Sequence, residues 1–303
     1  MKTFPLLFST ETNSQLARQI LGSGVVREGQ AELSNFRDGE ISFELSESVF
    51  GKDTIVLGST FPPAENLIKL FTFINTLKIR GAASVTVIIP YLGYAKSDTE
   101  DSTKLPLNSK LFTEFIEVAG ATRVITLDLH SHKNESYFHV PMKQLSAVTL
   151  AAMYFKKLKL SDIAVAAPDL GGVGCARKFA EQLGLGDVII IEKTRPSSEQ
   201  AEVIKVIGDP KEKKVIIIDD LIQTGGTLIA AAKAVKRLEA NDVYVFVTHV
   251  AWAAGGVNAL FESKLFKEIV VTDSIPKPEE IQPADFFTVL PIKELIVSAI
   301  RTT

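Results

Sequence analysis

Two carboxylates stand side by side at Asp219-Asp220, directly after the apolar run Val215-Ile-Ile-Ile218 and shortly before Gln223-Thr224-Gly225-Gly226-Thr227. Carboxylates accept hydrogen bonds from hydroxyls. A Thr-Gly-Gly-Thr turn entering a helix instead offers backbone N–H groups, hydroxyls and the positive end of a helix dipole. One ligand class meets both demands: a sugar phosphate, with its hydroxyls on the acids and its phosphate in the loop. The competing reading is a plain strand–turn–helix with an incidental acidic pair. Packing alone rarely puts two acids at the end of a buried strand.

Other segments supply complementary chemistry. Pro168-Asp169-Leu-Gly171-Gly172 repeats the pattern of strand, acid and glycine turn. Asp169 there could ligate Mg²⁺, which takes a few carboxylates together with substrate phosphates. Thr126-Leu-Asp128-Leu-His130 ends another apolar run, where an imidazole can hold a metal or contact a phosphate, with Asp128 as a second polar anchor. Lys193-Thr-Arg195 carries two cations able to close over a polyphosphate and neutralise charge in the transition state. By spacing alone those cations read as a solvated loop. Near the N-terminus, Asn35-Phe36-Arg37-Asp38-Gly39-Glu40 is a turn between two short strands. Phe36 offers a stacking face, and Asp38 and Glu40 offer acceptors for an amino group such as that of adenine. Lys96, in Tyr91-Leu-Gly93-Tyr94-Ala95-Lys96-Ser97-Asp98, is a candidate phosphate contact.

These residues need a scaffold, and strand-like runs alternate with helical ones almost throughout. Buried strands are predicted at 54–57, 85–90, 124–127, 164–167, 188–191, 215–218, 243–247 and 269–272. Helices are predicted at 65–78, 108–118, 147–158, 173–183 and 228–238. This is an α/β pattern of mostly parallel sheets flanked by helices. The unit beginning Lys52-Asp-Thr-Ile-Val-Leu-Gly58-Ser59 resembles the one beginning Lys213-Lys-Val-Ile-Ile-Ile-Asp219-Asp220, an internal repeat that implies two similar domains. We expect them at 1–145 and 146–303, with the last helix packing back on the first. The acids are replaced by Gly58 and Ser59 in the first copy, so the sugar-phosphate site is expected only in the second.

Bulk properties narrow the function class. A net charge of −3 argues against general nucleic-acid binding. The longest apolar runs are strand-length, so no membrane span is expected, and the first residues are too short an apolar core for a secretory signal. A single cysteine, Cys175, provides no disulfide framework. A cytoplasmic protein is expected.

Taken in order, the segments 36–40, 89–94, 128–130, 168–172, 193–195, 218–227 and 271–276 resemble ribose-phosphate pyrophosphokinase (PRPP synthetase) along nearly the whole chain. The resemblance implies two phosphoribosyltransferase-like domains and transfer of the β,γ-diphosphoryl group of ATP to the 1-hydroxyl of ribose 5-phosphate. It implies ribose 5-phosphate on Asp219, Asp220, Gln223, Thr224, Gly225, Gly226 and Thr227. It places ATP on Phe36, Asp38, Gly39, Glu40, Lys96 and Ser97, Mg²⁺ on His130 and Asp169, and transition-state contacts on Lys193 and Arg195. The adenine-binding turn of this family reaches into a neighbouring subunit's site, which implies a homo-oligomer, with a dimer as minimal unit or a hexamer. Two departures stand out: Lys96-Ser97 replaces the usual Arg-Gln, and Gln223 replaces the usual acid. Lysine cannot reproduce a bidentate arginine fork. The alternatives are a PRPP-consuming phosphoribosyltransferase and a non-catalytic regulatory homologue.

Overall fold

The computed structural model describes residues 4–96, 107–194, 203–252, 254–279 and 286–302. They form two compact units, the first made of residues 1–146, 274–276 and 292–303, the second of 147–273 and 277–291.

The first unit begins with β1 (Leu6–Ser9), α1 (Ser14–Leu21), β2 (Arg27–Glu28) and the strands β3 (Ala31–Asn35) and β4 (Ile41–Leu45). It continues with β5 (Asp53–Leu57), α2 (Glu65–Ile79), β6 (Ser84–Ile89), α3 (Asn108–Ala119), β7 (Arg123–Leu127) and β8 (Met142–Leu145). Six strands make a parallel sheet in the order β2-β1-β5-β6-β7-β8. Ile55, Val56 and Leu57, like Val87, Ile88 and Ile89, are all buried, as continuous apolar runs require when helices cover both faces. In α2, Leu67, Leu70, Ile74 and Leu77 are buried at helical spacing and form its inner stripe. β3 and β4 form a separate antiparallel hairpin, tied to α2 by the rings of Phe43 and Phe73, whose centroids are 4.0 Å apart.

The second unit comprises α4 (Val148–Lys157), β9 (Ile163–Ala167), α5 (Val173–Leu183), β10 (Val188–Thr194), β11 (Val203–Ile207) and β12 (Lys214–Ile222). Then follow α6 (Gly226–Arg237), β13 (Val243–Val250), α7 (Ala254–Ser263), β14 (Glu268–Thr272) and β15 (Phe287–Leu290). Its seven-stranded sheet has the order β11-β10-β9-β12-β13-β14-β15, parallel except for β11. The last helix, α8 (Lys293–Arg301), belongs to the first unit and packs on α1 and β8, burying Ile296, Val297 and Ala299. No helix among the described residues is long and apolar enough to cross a membrane.

One strand departs from the sequence reading in a way that matters. β12 continues to Ile222, so Asp219 and Asp220 lie inside the strand and not after it. The cause is its neighbour β13, which keeps pairing through Asp219↔Val247, Leu221↔His249 and Ile222↔Val250. On the other side the described pairing with β9 stops at Ile217↔Ala166. The acids are therefore held by the β13 ladder, beyond the end of the described pairing with β9.

Candidate functional site

In a parallel sheet, ligands bind where consecutive crossovers leave in opposite directions, outside the carboxyl ends of the strands. In the second unit that switch point lies between β9 and β12, which carry Asp169 and Asp219-Asp220 at their carboxyl ends. In the first unit it lies between β1 and β5, followed by Thr10–Asn13 and by Gly58-Ser59. The same architecture thus yields two candidate pockets, with opposite contents.

The second unit's switch point is open and charged. Asp219 and Asp220 are half-buried, and the backbone N–H of Asp220 donates to Asp219 Oδ1 at 2.9 Å. Burial, followed by the neighbouring charge of Asp220 and by Asp169, pushes the Asp219 carboxyl well above the ordinary aspartate range. A carboxyl in this state gains from any hydroxyl donor or cation that arrives beside it. Asp169 accepts from the Gly172 N–H at 2.9 Å, which closes the turn into α5.

Downstream, Gln223 and Thr224 are exposed, and Gly225 takes φ 74°, a left-handed conformation that glycine adopts without strain. The N-cap of α6 is Gly225, which has no side chain, and the Gly226 N–H donates a long bond of 3.5 Å to Thr224 Oγ1; an uncluttered helix start of this kind can receive an anion. The acids and the glycine-capped helix start are contiguous on β12 and α6.

The first unit's switch point is filled by the chain itself. The Ser59 N–H donates to Asn13 Oδ1 at 2.8 Å and to Thr12 Oγ1 at 3.0 Å. Asn13 Nδ2 and Ser59 Oγ both donate to the Ser274 carbonyl, at 3.1 and 3.0 Å. A Cβ at Gly58 would lie 2.3 Å from Thr10 Oγ1, so there is no room for a carboxylate. The turn that follows contains Pro62 and Pro63, which have no N–H, and α2 opens with Glu65. Missing donors and a carboxylate in the first turn both disfavour phosphate. Thr10, Thr12 and Asn13 escaped the sequence reading because nothing local marks three short polar residues as a plug.

The remaining candidates are distributed as follows. Phe36, 58 % exposed, stands at the tip of the β3–β4 hairpin. Its turn is closed by Phe36 N–H to Glu40 O at 2.7 Å, Gly39 N–H to Phe36 O at 2.9 Å and Glu40 N–H to Asp38 Oδ1 at 3.1 Å. Lys96 lies in the segment after β6, whose Gly93 N–H donates to Thr60 Oγ1 at 2.7 Å and whose Ala95 carbonyl accepts from Asn134 at 2.9 Å. Ser97 and Arg195 lie outside the described residues, as does the side chain of Lys193; the backbone of Lys193 is on β10, paired with Ile204 of β11. Asp128, just past β7, has φ 31°, a strained value for a residue with a side chain, and His130 beyond it is exposed. His130 is in the first unit and Asp169 in the second.

Among the described residues no group of three or more His, Cys, Asp or Glu side chains could hold a metal unaided. Asp169, Asp219 and Asp220 are oxygen donors of the kind that a hard cation takes together with water and substrate phosphates. A cavity of about 370 Å³ in the first unit opens at the amino ends of β5–β7, lined by Asp53, Ser84 and Arg123 among others. It contains none of the candidate residues.

Comparison with known proteins gives consistent relatives. Residues 5–120 match the family model described as the N-terminal domain of ribose phosphate pyrophosphokinase, and residues 138–282 match the phosphoribosyl transferase domain. The chain is 38% identical over 297 residues to a ribose-phosphate pyrophosphokinase of Fusobacterium nucleatum, covering 97% of this chain and 93% of that protein. It is 39% identical over 295 residues to the enzyme of that name from Bacillus caldolyticus, with 97% and 93% covered. Among solved structures, phosphoribosylpyrophosphate synthetase from Mycobacterium smegmatis superposes with a TM-score of 0.92 at 30% identity, covering 99% of this chain and 98% of that one.

Proposed function

This chain belongs to the ribose-phosphate pyrophosphokinase family and is a diphosphotransferase that makes PRPP, and we propose how its residues divide that reaction. One observation carries the proposal. The switch point between β9 and β12 has acids and a glycine-capped helix start, whereas that between β1 and β5 is filled by its own side chains. Ribose 5-phosphate therefore goes to the second unit. Asp219 and Asp220 accept from the ribose hydroxyls, and Gln223, Thr224, Gly225, Gly226 and Thr227 hold the 5-phosphate through N–H and hydroxyl donors.

ATP is assigned to residues of the 1–145 domain. Phe36 stacks on adenine, Asp38, Gly39 and Glu40 read its edge, and Lys96 and Ser97 contact the phosphates. The projecting, exposed Phe36 supports use of the turn by a neighbouring copy, hence a homo-oligomer with the dimer as minimal unit. Residues 146–303, apart from the final helix, form the ribose 5-phosphate domain. We assign Mg²⁺ as the cofactor, with His130 and Asp169 as its protein contacts; when bound it supplies charge neutralisation on the ATP phosphates. Lys193 and Arg195 stabilise the charge on the transferring group, and positioning of the 1-hydroxyl does the rest. A cytoplasmic location fits substrates of this kind.

The alternatives are not favoured. A PRPP-consuming transferase would need only one such domain, and a non-catalytic homologue has no reason to keep the acids and the open loop together. The deciding experiment supplies ATP, ribose 5-phosphate and Mg²⁺ and identifies the nucleotide product. AMP with PRPP is expected; ADP, or no turnover, overturns the reading.

A further inference from the structure

The phosphate loop has a back as well as a front. Behind it lies α7, reached from β13 through Ala251, whose N–H donates to the Ile222 carbonyl at 2.8 Å. The fit is too close for a side chain at one point. A Cβ on the buried Gly256 would lie 2.4 Å from the Gln223 carbonyl oxygen, 2.9 Å from Thr224 Cα and 3.1 Å from the Thr224 carbonyl carbon. All three atoms are backbone, so no side-chain rotation can relieve the contact and the loop and α7 must separate. One turn further along α7, Leu260 fills the space beneath Gly225, where an added Cβ would meet the leucine side chain at 2.7–3.2 Å. Gly255, the preceding residue, is exposed and has nothing within 4 Å of an added Cβ. Gly256 has no positive φ to explain it, so its value is the close approach itself.

We propose that Gly256 and Leu260 are positioning residues: α7 sets the orientation of the Gln223–Thr227 backbone and so tunes the enzyme's affinity for the 5-phosphate. The inference rests on the assignment of ribose 5-phosphate to this loop. Anion cradles work only when several N–H groups converge on one point, and displacing the Gln223–Thr224 peptide by roughly 1 Å spoils that convergence. Neither residue touches the ligand in this scheme; both act through the loop.

The test compares Gly256→Ala, Leu260→Ala and Gly255→Ala with the unaltered enzyme, using initial rates at varied ribose 5-phosphate and varied ATP, together with thermal melts. For Gly256→Ala the KM for ribose 5-phosphate is expected to rise by about tenfold or more, since small displacements of binding groups have effects of that order. The KM for ATP and the values for Gly255→Ala stay as they were. Leu260→Ala, which loosens rather than pushes the loop, raises the same KM to a smaller extent. A lowered melting temperature with unchanged KM for ribose 5-phosphate in Gly256→Ala would show mere packing and overturn the proposal, as would an equal rise in both KM values. Should Gly256→Ala fail to fold, Leu260→Ala decides alone, and an unchanged KM for ribose 5-phosphate there overturns it. Failure of the functional assignment is separate, because it appears as absence of AMP in the unaltered enzyme.

Discussion

The Ser59 amide donates to Asn13 Oδ1 at 2.8 Å, so the donor a phosphate would need in the first unit is already engaged. Asn13 is fully buried and uses its other end on the Ser274 carbonyl, which makes it a structural clasp. Asn13→Ala leaves these partners short of hydrogen bonds. It should destabilise the protein by about 1–3 kcal/mol, the usual effect of orphaning buried polar groups. Chemical denaturation measures it. The KM for ribose 5-phosphate, taken well below the melting temperature, should not move.

Asp219 gives a pH signature. Its folded-state pKa is raised, by burial first and then by Asp220 and Asp169. Between the ordinary aspartate value and the raised one, the native state holds more protons than the unfolded chain. The stability of the metal-free protein therefore falls as pH rises through that window. Asp219→Asn removes the effect. Melts in chelator should show the variant gaining stability over its parent as the pH rises above the ordinary aspartate range, with the gap closing at about pH 4. A variant less stable at the higher pH would contradict the assignment.

Glu117 behaves in the opposite sense. Burial alone would raise its pKa, but the N–H groups of Val140 and His139 and the His139 ring outweigh it and hold the carboxyl below its usual value. The bonds from Val140 N–H at 3.0 Å and from His139 N–H at 2.5 Å pin the chain just before β8. The stability they add is present above the unfolded-state glutamate pKa and is lost as pH falls through the lower folded-state value. Glu117→Gln should cost roughly 1–2 kcal/mol at neutral pH and almost nothing in acid, with little owed to the exposed His139 ring.

Lys193 is assigned to the transition state. Lys193→Ala should lower kcat by about 10²–10³ while leaving both KM values nearly unchanged, as for loss of a donor that acts only as charge develops. A change confined to KM would make it a ground-state binding residue.

Local information was enough for much of this protein. Val215-Ile-Ile-Ile218 had to be a strand covered on both faces, because an unbroken β-branched run has no polar side to show to water. Thr224-Gly-Gly-Thr227 had to turn into a helix, and Asp38-Gly39 had to turn a hairpin, because glycine permits what other residues resist. Acids and cradle are contiguous in the chain, so their shared ligand class was legible before any fold.

Non-local geometry decided the rest. Asp169 reaches Asp219 electrostatically only because β9 and β12 are neighbours in the sheet. Asp219 and Asp220 sit inside β12 because β13 continues beside them, a matter of a partner's length. The plug of Thr10, Thr12 and Asn13 exists because β1, too short to read as a strand, lies against β5. Gly256 gave no signal at all, since a glycine chosen for the backbone it touches looks, in one dimension, like any other. The residues along one strand or turn declare their own chemistry; which distant backbone fills or supports the resulting site is fixed by strand order, and strand order is a property of the whole sheet.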